Sequence, residues 1–132
     1  MSADEITRAE ERPLSILVVD DDPDSADSLA LLLEHWNHRV CVAYDGAQAI
    51  ETFRRERPSV ALIDISLPDM DGYEVARALK KEEHPATLVA LTGYGDDGDL
   101  RASKEAGFDR HFVKPIDLRS LRELLLGAGA RS

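Results

Sequence analysis

The stretch Ile16-Leu-Val-Val-Asp20-Asp21-Asp22-Pro23 reads as a short buried strand that ends in carboxylates and turns at once into a helix. Three further apolar runs also end in a polar residue: Val60-Ala-Leu-Ile-Asp64, Leu88-Val-Ala-Leu-Thr92 and His111-Phe-Val-Lys114-Pro115. Each tip carries a group that can handle a phosphoryl group or its metal. In an open, mostly parallel sheet, ligands sit in the crevice beyond the carboxyl ends of the strands, so these tips are expected to converge.

Working outward, strand-like runs alternate with helical periodicity five times, the pattern of a parallel sheet with helices on both faces. Strand one, Ile16 to Val19, is followed by a helix from Pro23 to about Trp36, with Ala26, Leu29, Leu32, Leu33 and Trp36 at helical spacing. Strand two is Arg39 to Ala43, and helix two, Ala47 to about Arg55, turns Ala49, Ile50 and Phe53 inward. Strand three is Val60 to Ile63. Helix three starts near Gly72, with Asp71 as cap and Glu74 in a capping-box position, and ends before His84-Pro85. Strand four is Thr87 to Leu91. Helix four runs from about Asp99 to Ala106 and stops at Gly107, a left-handed C-cap. Strand five is Arg110 to Val113. Helix five runs from an Asp117 cap to about Leu126, with Leu118, Leu121 and Leu125 as its core stripe and Leu124 and Leu126 left for exposed contacts.

Residues 1–13 mix charges without periodicity and read as a disordered tail; 14–126 form the domain, and 127–132 a short C-terminal tail with no output domain. The 132 residues fit one domain. A net charge of −10, from 26 acidic and 16 basic residues without a basic stripe, argues against a binder of the nucleic-acid backbone. Arg54, Arg55 and Arg57 are the densest basic cluster and read as a solvated helix face. The single Cys41 lies in an apolar run and fits a reducing compartment. No signal peptide and no run near the roughly 18 apolar residues of a membrane span is present, so the protein is read as cytoplasmic. His35 and His38 have no acidic or thiol partner and read as solvated, and His84 simply precedes a proline.

Three adjacent aspartates are costly: two carboxylates about 4 Å apart repel by roughly 4 kcal/mol at an effective dielectric near 20. Asp22 before Pro23 is explained as an N-cap with proline at N1. Asp20 and Asp21 remain as metal ligands, joined by Asp64 if strands one and three are neighbours. Hard oxygen donors suit Mg2+, with Mn2+ able to substitute. An EF-hand read from Asp20 fails, because Ser25 and Leu31 stand where glycine and glutamate are needed. Asp64 can act as a nucleophile toward phosphorus once charge is neutralised, Thr92 can hydrogen-bond a phosphoryl oxygen, and Lys114 can pair with its charge.

On these motifs, from about Leu14 to Leu126, the chain resembles the receiver domain of two-component response regulators. The resemblance implies a flavodoxin-like (βα)5 doubly wound fold with a five-stranded parallel sheet in order 2-1-3-4-5. It implies Asp20 and Asp21 as the acidic pair, Asp64 as phosphoacceptor, Thr92 as hydroxyl switch, Lys114 before a cis Pro115, and a backbone carbonyl of Ser66 on Mg2+. The partner would be a sensor histidine kinase or a histidine-phosphotransfer protein, with no nucleic acid and no membrane. The chain would catalyse its own phosphorylation and dephosphorylation without turning over small molecules. The signal would leave through helix four, strand five and helix five, or through helix one.

His111 departs from the pattern, standing where an aromatic switch is usual, while strand alternation turns Phe112 to the other face. Ser66 and Tyr94, each two residues beyond a site residue, are candidates for tuning phosphate lifetime. Leu91-Thr-Gly-Tyr-Gly95 and Gly107-Phe-Asp-Arg-His-Phe-Val-Lys-Pro115 look most like receivers associated with hybrid histidine kinases, so the chain is read as stand-alone or as the receiver portion of such a kinase. A haloacid-dehalogenase-type Mg2+ phosphohydrolase is the alternative of another class, but Ser66 stands where its second aspartate belongs. A flavin binder would need a glycine- and hydroxyl-rich loop after strand one. An unphosphorylated docking domain would not need the full set of site residues.

Overall fold

The computed structural model describes residues 13–93 and 97–130. Strands β1 (Ser15–Val19), β2 (Arg39–Ala43), β3 (Val60–Asp64), β4 (Thr87–Thr92) and β5 (Arg110–Val113) alternate with helices α1 (Pro23–His35), α2 (Gly46–Glu56), α3 (Gly72–Lys80), α4 (Asp97–Ala106) and α5 (Leu118–Ala130). All neighbouring strands are parallel, in the order β2-β1-β3-β4-β5. This is the flavodoxin-like fold.

Alternation along the strands divides the core in two. Leu17, Val19, Ala61, Ile63, Leu88 and Ala90 point to the face covered by α2 and α3, where Ala49, Phe53, Val75, Ala76 and Leu79 are buried. Ile16, Val18, Val60, Leu62, Val89 and Leu91 point to the opposite face, against Ala26 and Leu33 of α1 and Leu121, Leu124 and Leu125 of α5. A strand buried on both faces must be apolar at every position, which is why β1 and β3 read as unbroken hydrophobic runs.

The helix starts are set by aspartates. Asp22 accepts from the Asp24 amide with Pro23 at the first position, Asp45 accepts from Gln48 and Asp71 from Glu74. Gly107 closes α4 with φ of 108°, a conformation that favours glycine.

Several local expectations are corrected. Helix α5 does not end near Leu126 but continues to Ala130. Each glycine in Gly127-Ala-Gly costs about 1 kcal/mol relative to alanine, yet Ala128 packs on the α1–α5 core and carries the helix on. The buried stripe of α5 is Leu121, Leu124 and Leu125, whereas Leu118 is 48% exposed at the first turn. His38 is not simply solvated: it is half-buried, and its Nδ1 accepts from the Leu14 amide at 3.0 Å. His84 likewise donates from Nε2 to the Pro58 carbonyl at 2.6 Å and stacks edge-on against Phe53. Arg54 and Arg55 pair with Glu82 and Glu56 on the surface.

Candidate functional site

The carboxyl tips of β1, β3, β4 and β5 meet at one end of the sheet. Asp20 follows β1 directly, donating its amide to the Ala43 carbonyl, and is only 5% exposed. Asp64 is the last residue of β3 and is 7% exposed. Burial of two carboxylates this deep calls for a counter-charge and hydrogen bonds, and both are supplied. Lys114, just beyond β5, places Nζ 2.8 Å from Asp64 Oδ2 and 3.2 Å from Asp20 Oδ2. The other oxygens take amides: Asp20 Oδ1 accepts from Asp22 at 3.0 Å and Asp64 Oδ1 from Ser66 at 2.8 Å. Burial pushes the Lys114 ammonium toward a lower pKa, but the hydrogen bond and charge of Asp64, then the charge of Asp20, outweigh it and hold the pKa above the ordinary lysine value.

Asp21 is exposed at the mouth, and one carboxylate oxygen from each of Asp20, Asp21 and Asp64 lies within 4.8 Å of the others. An all-carboxylate donor set of this spacing fits a small hard divalent cation such as Mg2+. Asp22 takes no part in this group; it is committed to capping α1.

Thr92 ends β4, is 5% exposed, and accepts at its carbonyl from the Lys114 amide at 2.7 Å. The Lys114–Pro115 bond is cis. Ser66 is exposed in the loop after Asp64. Tyr94 lies outside the described residues. On β5, His111 is half-buried on the α4 side, where its Nδ1 lies 3.1 Å from Oγ of the buried Ser103; its Nε2 is buried and has no hydrogen-bond partner among the described residues. Phe112 packs on the opposite face, with the α1–α5 core.

Reading the sequence missed the residues that hold the acceptor loop, the segment between Asp64 and α3. Gly72 donates its amide to the Ile65 carbonyl at 2.8 Å, and a Cβ there would sit 2.7 Å from Ile65 Cα and 2.8 Å from the Asp64 carbonyl oxygen. Asp69 reaches from that loop to the start of α2, accepting from Gly46 at 2.8 Å and Ala47 at 3.0 Å. The available signal was an aspartate after Pro68 with no helix of its own to cap. At the rim, the Tyr44 hydroxyl donates to Asp27 of α1 at 2.8 Å.

Chemically, three carboxylates suited to a metal and the Lys114 cation gather at one end of the sheet, with Thr92 at the adjacent strand tip. That set can accept a phosphoryl group and can stabilise the charge it brings.

The family model for the response regulator receiver domain matches residues 16–126. The chain is 36% identical over 114 residues to an uncharacterized 14.6 kDa protein in the sodA1 3′ region of Leptolyngbya boryana, covering 85% of this chain and 87% of that protein. It is 32% identical over 108 residues to sporulation initiation phosphotransferase F of Bacillus subtilis (strain 168), covering 82% and 87%. Against the probable transcriptional regulatory protein TcrX of Mycobacterium tuberculosis, identity is 38% over 92% of this chain, which spans only 54% of that regulator. Among solved structures, the response regulator receiver domain protein (CheY-like) from Methanospirillum hungatei JF-1 matches with a TM-score of 0.81 at 29% identity, covering 92% of this chain and 100% of that one. With the order of strands, the placement of the acidic tips and the matched span all in agreement, the chain belongs to the response regulator receiver domain family.

Proposed function

We propose that the protein is a receiver acting in a two-component system or phosphorelay, which accepts a phosphoryl group on Asp64 from a partner's phosphohistidine in a Mg2+-dependent reaction and signals through protein contacts. The observation that carries the reading is the bridge of Lys114 Nζ between Asp64 Oδ2 and Asp20 Oδ2, which gathers the tips of three strands around one carboxylate. Receivers of this family interact with histidine kinases or phosphotransfer proteins, and the reading takes such a protein as the donor.

In the transfer, an Asp64 carboxylate oxygen attacks phosphorus in line with the imidazole nitrogen of the donor. The O–P bond forms as the P–N bond breaks, and the imidazole, which carries a proton on its other ring nitrogen in the donor, leaves as the neutral ring. Asp20, Asp21, Asp64 and the Ser66 carbonyl would hold Mg2+, which supplies neutralising charge for the phosphoryl oxygens. Lys114 follows the negative charge from the carboxylates to the new phosphoryl group, and its raised pKa keeps it cationic throughout the neutral range. Thr92, at the adjacent tip, donates its hydroxyl to a phosphoryl oxygen. Hydrolysis returns Asp64 to its starting state, with Ser66 and Tyr94, each two residues beyond a site residue in the sequence, as the candidates for tuning the phosphate lifetime. The charge change at the tips is read through α4, β5 and α5, where His111 stands at the switch position, or through α1.

The test is labelling by phosphoramidate or acetyl phosphate with mass spectrometry of the labelled peptide. Label on Asp64 that needs Mg2+ and vanishes in Asp64→Asn is expected; undiminished label in that variant sinks the assignment.

A further inference from the structure

The loop from Ile65 to Asp71 contains neither strand nor helix, yet it carries Ser66, whose carbonyl is one of the proposed metal ligands. Its first residues are held to the sheet: the Ile65 amide donates to the Leu91 carbonyl of β4 at 3.0 Å. The Ser66 amide donates back to Asp64 Oδ1 at 2.8 Å, and the Gly72 amide closes on the Ile65 carbonyl at 2.8 Å. These bonds hold the two ends of the loop.

The far half of the loop is tied to another element by Asp69. Its Oδ1 accepts from Gly46 at 2.8 Å and its Oδ2 from Ala47 at 3.0 Å, the first two amides of α2. Helix α2 already has a cap of its own, Asp45, which takes the next amide, that of Gln48, at 2.8 Å. The open donors of the first turn are therefore shared between a local residue and one that arrives from the acceptor loop. The contact is close: a Cβ on Gly46 would lie 2.3 Å from Met70 Cγ and 3.2 Å from Asp69 Oδ1, so a larger residue would force the Met70 side chain to move. Met70 itself packs on the core between α2 and α3.

We propose that Asp69 is a positioning residue for the phosphoacceptor site: by tying the β3–α3 loop to the first turn of α2, it fixes Ser66 beside Asp64. The proposal rests on the reading of Asp64 as acceptor. If Asp69 were merely a second helix cap, its loss would act like the loss of Asp45. If it positions the loop, the two losses separate.

The experiment compares the full chain with Asp69→Ala, Asp69→Asn and Asp45→Ala. It reads amide hydrogen exchange at Ser66 without metal, Mg2+ affinity by chemical-shift titration, and phosphoramidate labelling. Residues outside the ligand set that orient a ligand change metal affinity by about 10- to 100-fold. Asp69→Ala is expected at the low end, with Mg2+ bound about tenfold more weakly and Ser66 exchange accelerated by a similar factor. Asp69→Asn, which keeps an acceptor oxygen, should fall between it and wild type, and it carries the test if the alanine variant does not fold. Asp45→Ala should weaken the same helix yet leave Ser66 exchange and Mg2+ affinity as in wild type, because its side chain bonds Gln48 within α2 and not the loop. Unchanged values in the Asp69 variants, or the same changes in Asp45→Ala, overturn the positioning role while labelling of wild-type Asp64 stands. A wild-type chain that takes no label on Asp64 instead overturns the acceptor assignment, and the proposal with it.

Discussion

Lys114 is the residue on which the site balances. Its ammonium stands 2.8 Å and 3.2 Å from two buried carboxylates, occupying part of the negative field that a divalent cation would also seek. Replacing it by glutamine should therefore move two properties in opposite directions: Mg2+ should bind several-fold more tightly, while phosphorylation slows by about two orders of magnitude, as for loss of other charge-stabilising groups. Metal titration and initial labelling rates measured on the same sample check both. The pH dependence follows from its raised pKa. A lysine whose folded pKa lies above the unfolded value contributes stability that is complete below about pH 10.4 and is lost as pH climbs through the folded value. The stability difference between wild type and Lys114→Gln should thus be flat from neutrality to about pH 10 and shrink above it, as read from urea midpoints.

Asp69 gives the mirror case at the acid end. The Gly46 amide, against a smaller opposing effect of desolvation and with help from Ala47, holds its carboxyl below the usual aspartate range. Its contribution is present above the unfolded value near about pH 3.9 and disappears as pH falls through the folded one. Asp69→Asn should accordingly narrow its gap from wild type below about pH 4.

At the scale of the elements, two glycines separate a tight approach from open space. Gly72→Ala places a methyl 2.7 Å from Ile65 Cα and 2.8 Å from the Asp64 carbonyl oxygen, both backbone atoms that cannot swing aside. It should cost about 1–3 kcal/mol, as overpacking does. Gly127→Ala meets nothing within 4 Å inside α5 and should stabilise by about 0.5–1 kcal/mol. Denaturant unfolding of the pair gives opposite signs if the two environments are as described.

Strand and helix order was legible in the sequence because a strand covered on both faces cannot hide its apolar run, and β1, β3 and β4 are of that kind. The aspartate caps were legible for a similar reason, since Asp22, Asp45 and Asp71 act within three residues of themselves. What escaped depended on distant partners. The extension of α5 to Ala130 needs Ala128 to find the α1–α5 core, and the exchange of Leu118 for Leu124 in the buried stripe reflects where α5 crosses the sheet. His38 and Asp69 meet their partners 24 and 23 residues away in the chain, which no local pattern records. Asp20 and Asp64 were readable as strand tips, but their joint hold on Lys114 was not.

For the whole molecule, the −10 charge and the cluster at one end of the sheet mean that cations act on stability by two routes. Screening by monovalent salt relieves general repulsion, whereas a cation bound in the native state alone adds RT ln(1 + [L]/Kd), about 2.7 kcal/mol at 100 times Kd. Mg2+ should raise the thermal midpoint beyond NaCl at equal ionic strength, and that excess should vanish in Asp20→Asn. Calorimetry at matched ionic strength makes the comparison.

β5 is an outermost strand, paired on one side with β4 and on the other with no strand of the sheet. It leads into the residue that is ion-paired to Asp64 and bonded through its amide to the Thr92 carbonyl. The acceptor strand β3, by contrast, is gripped from both sides, by β1 and β4. A change of charge at Asp64 thus acts on a strand paired on both sides and, through Lys114, on one paired on a single side, so β5 is expected to shift more than β3.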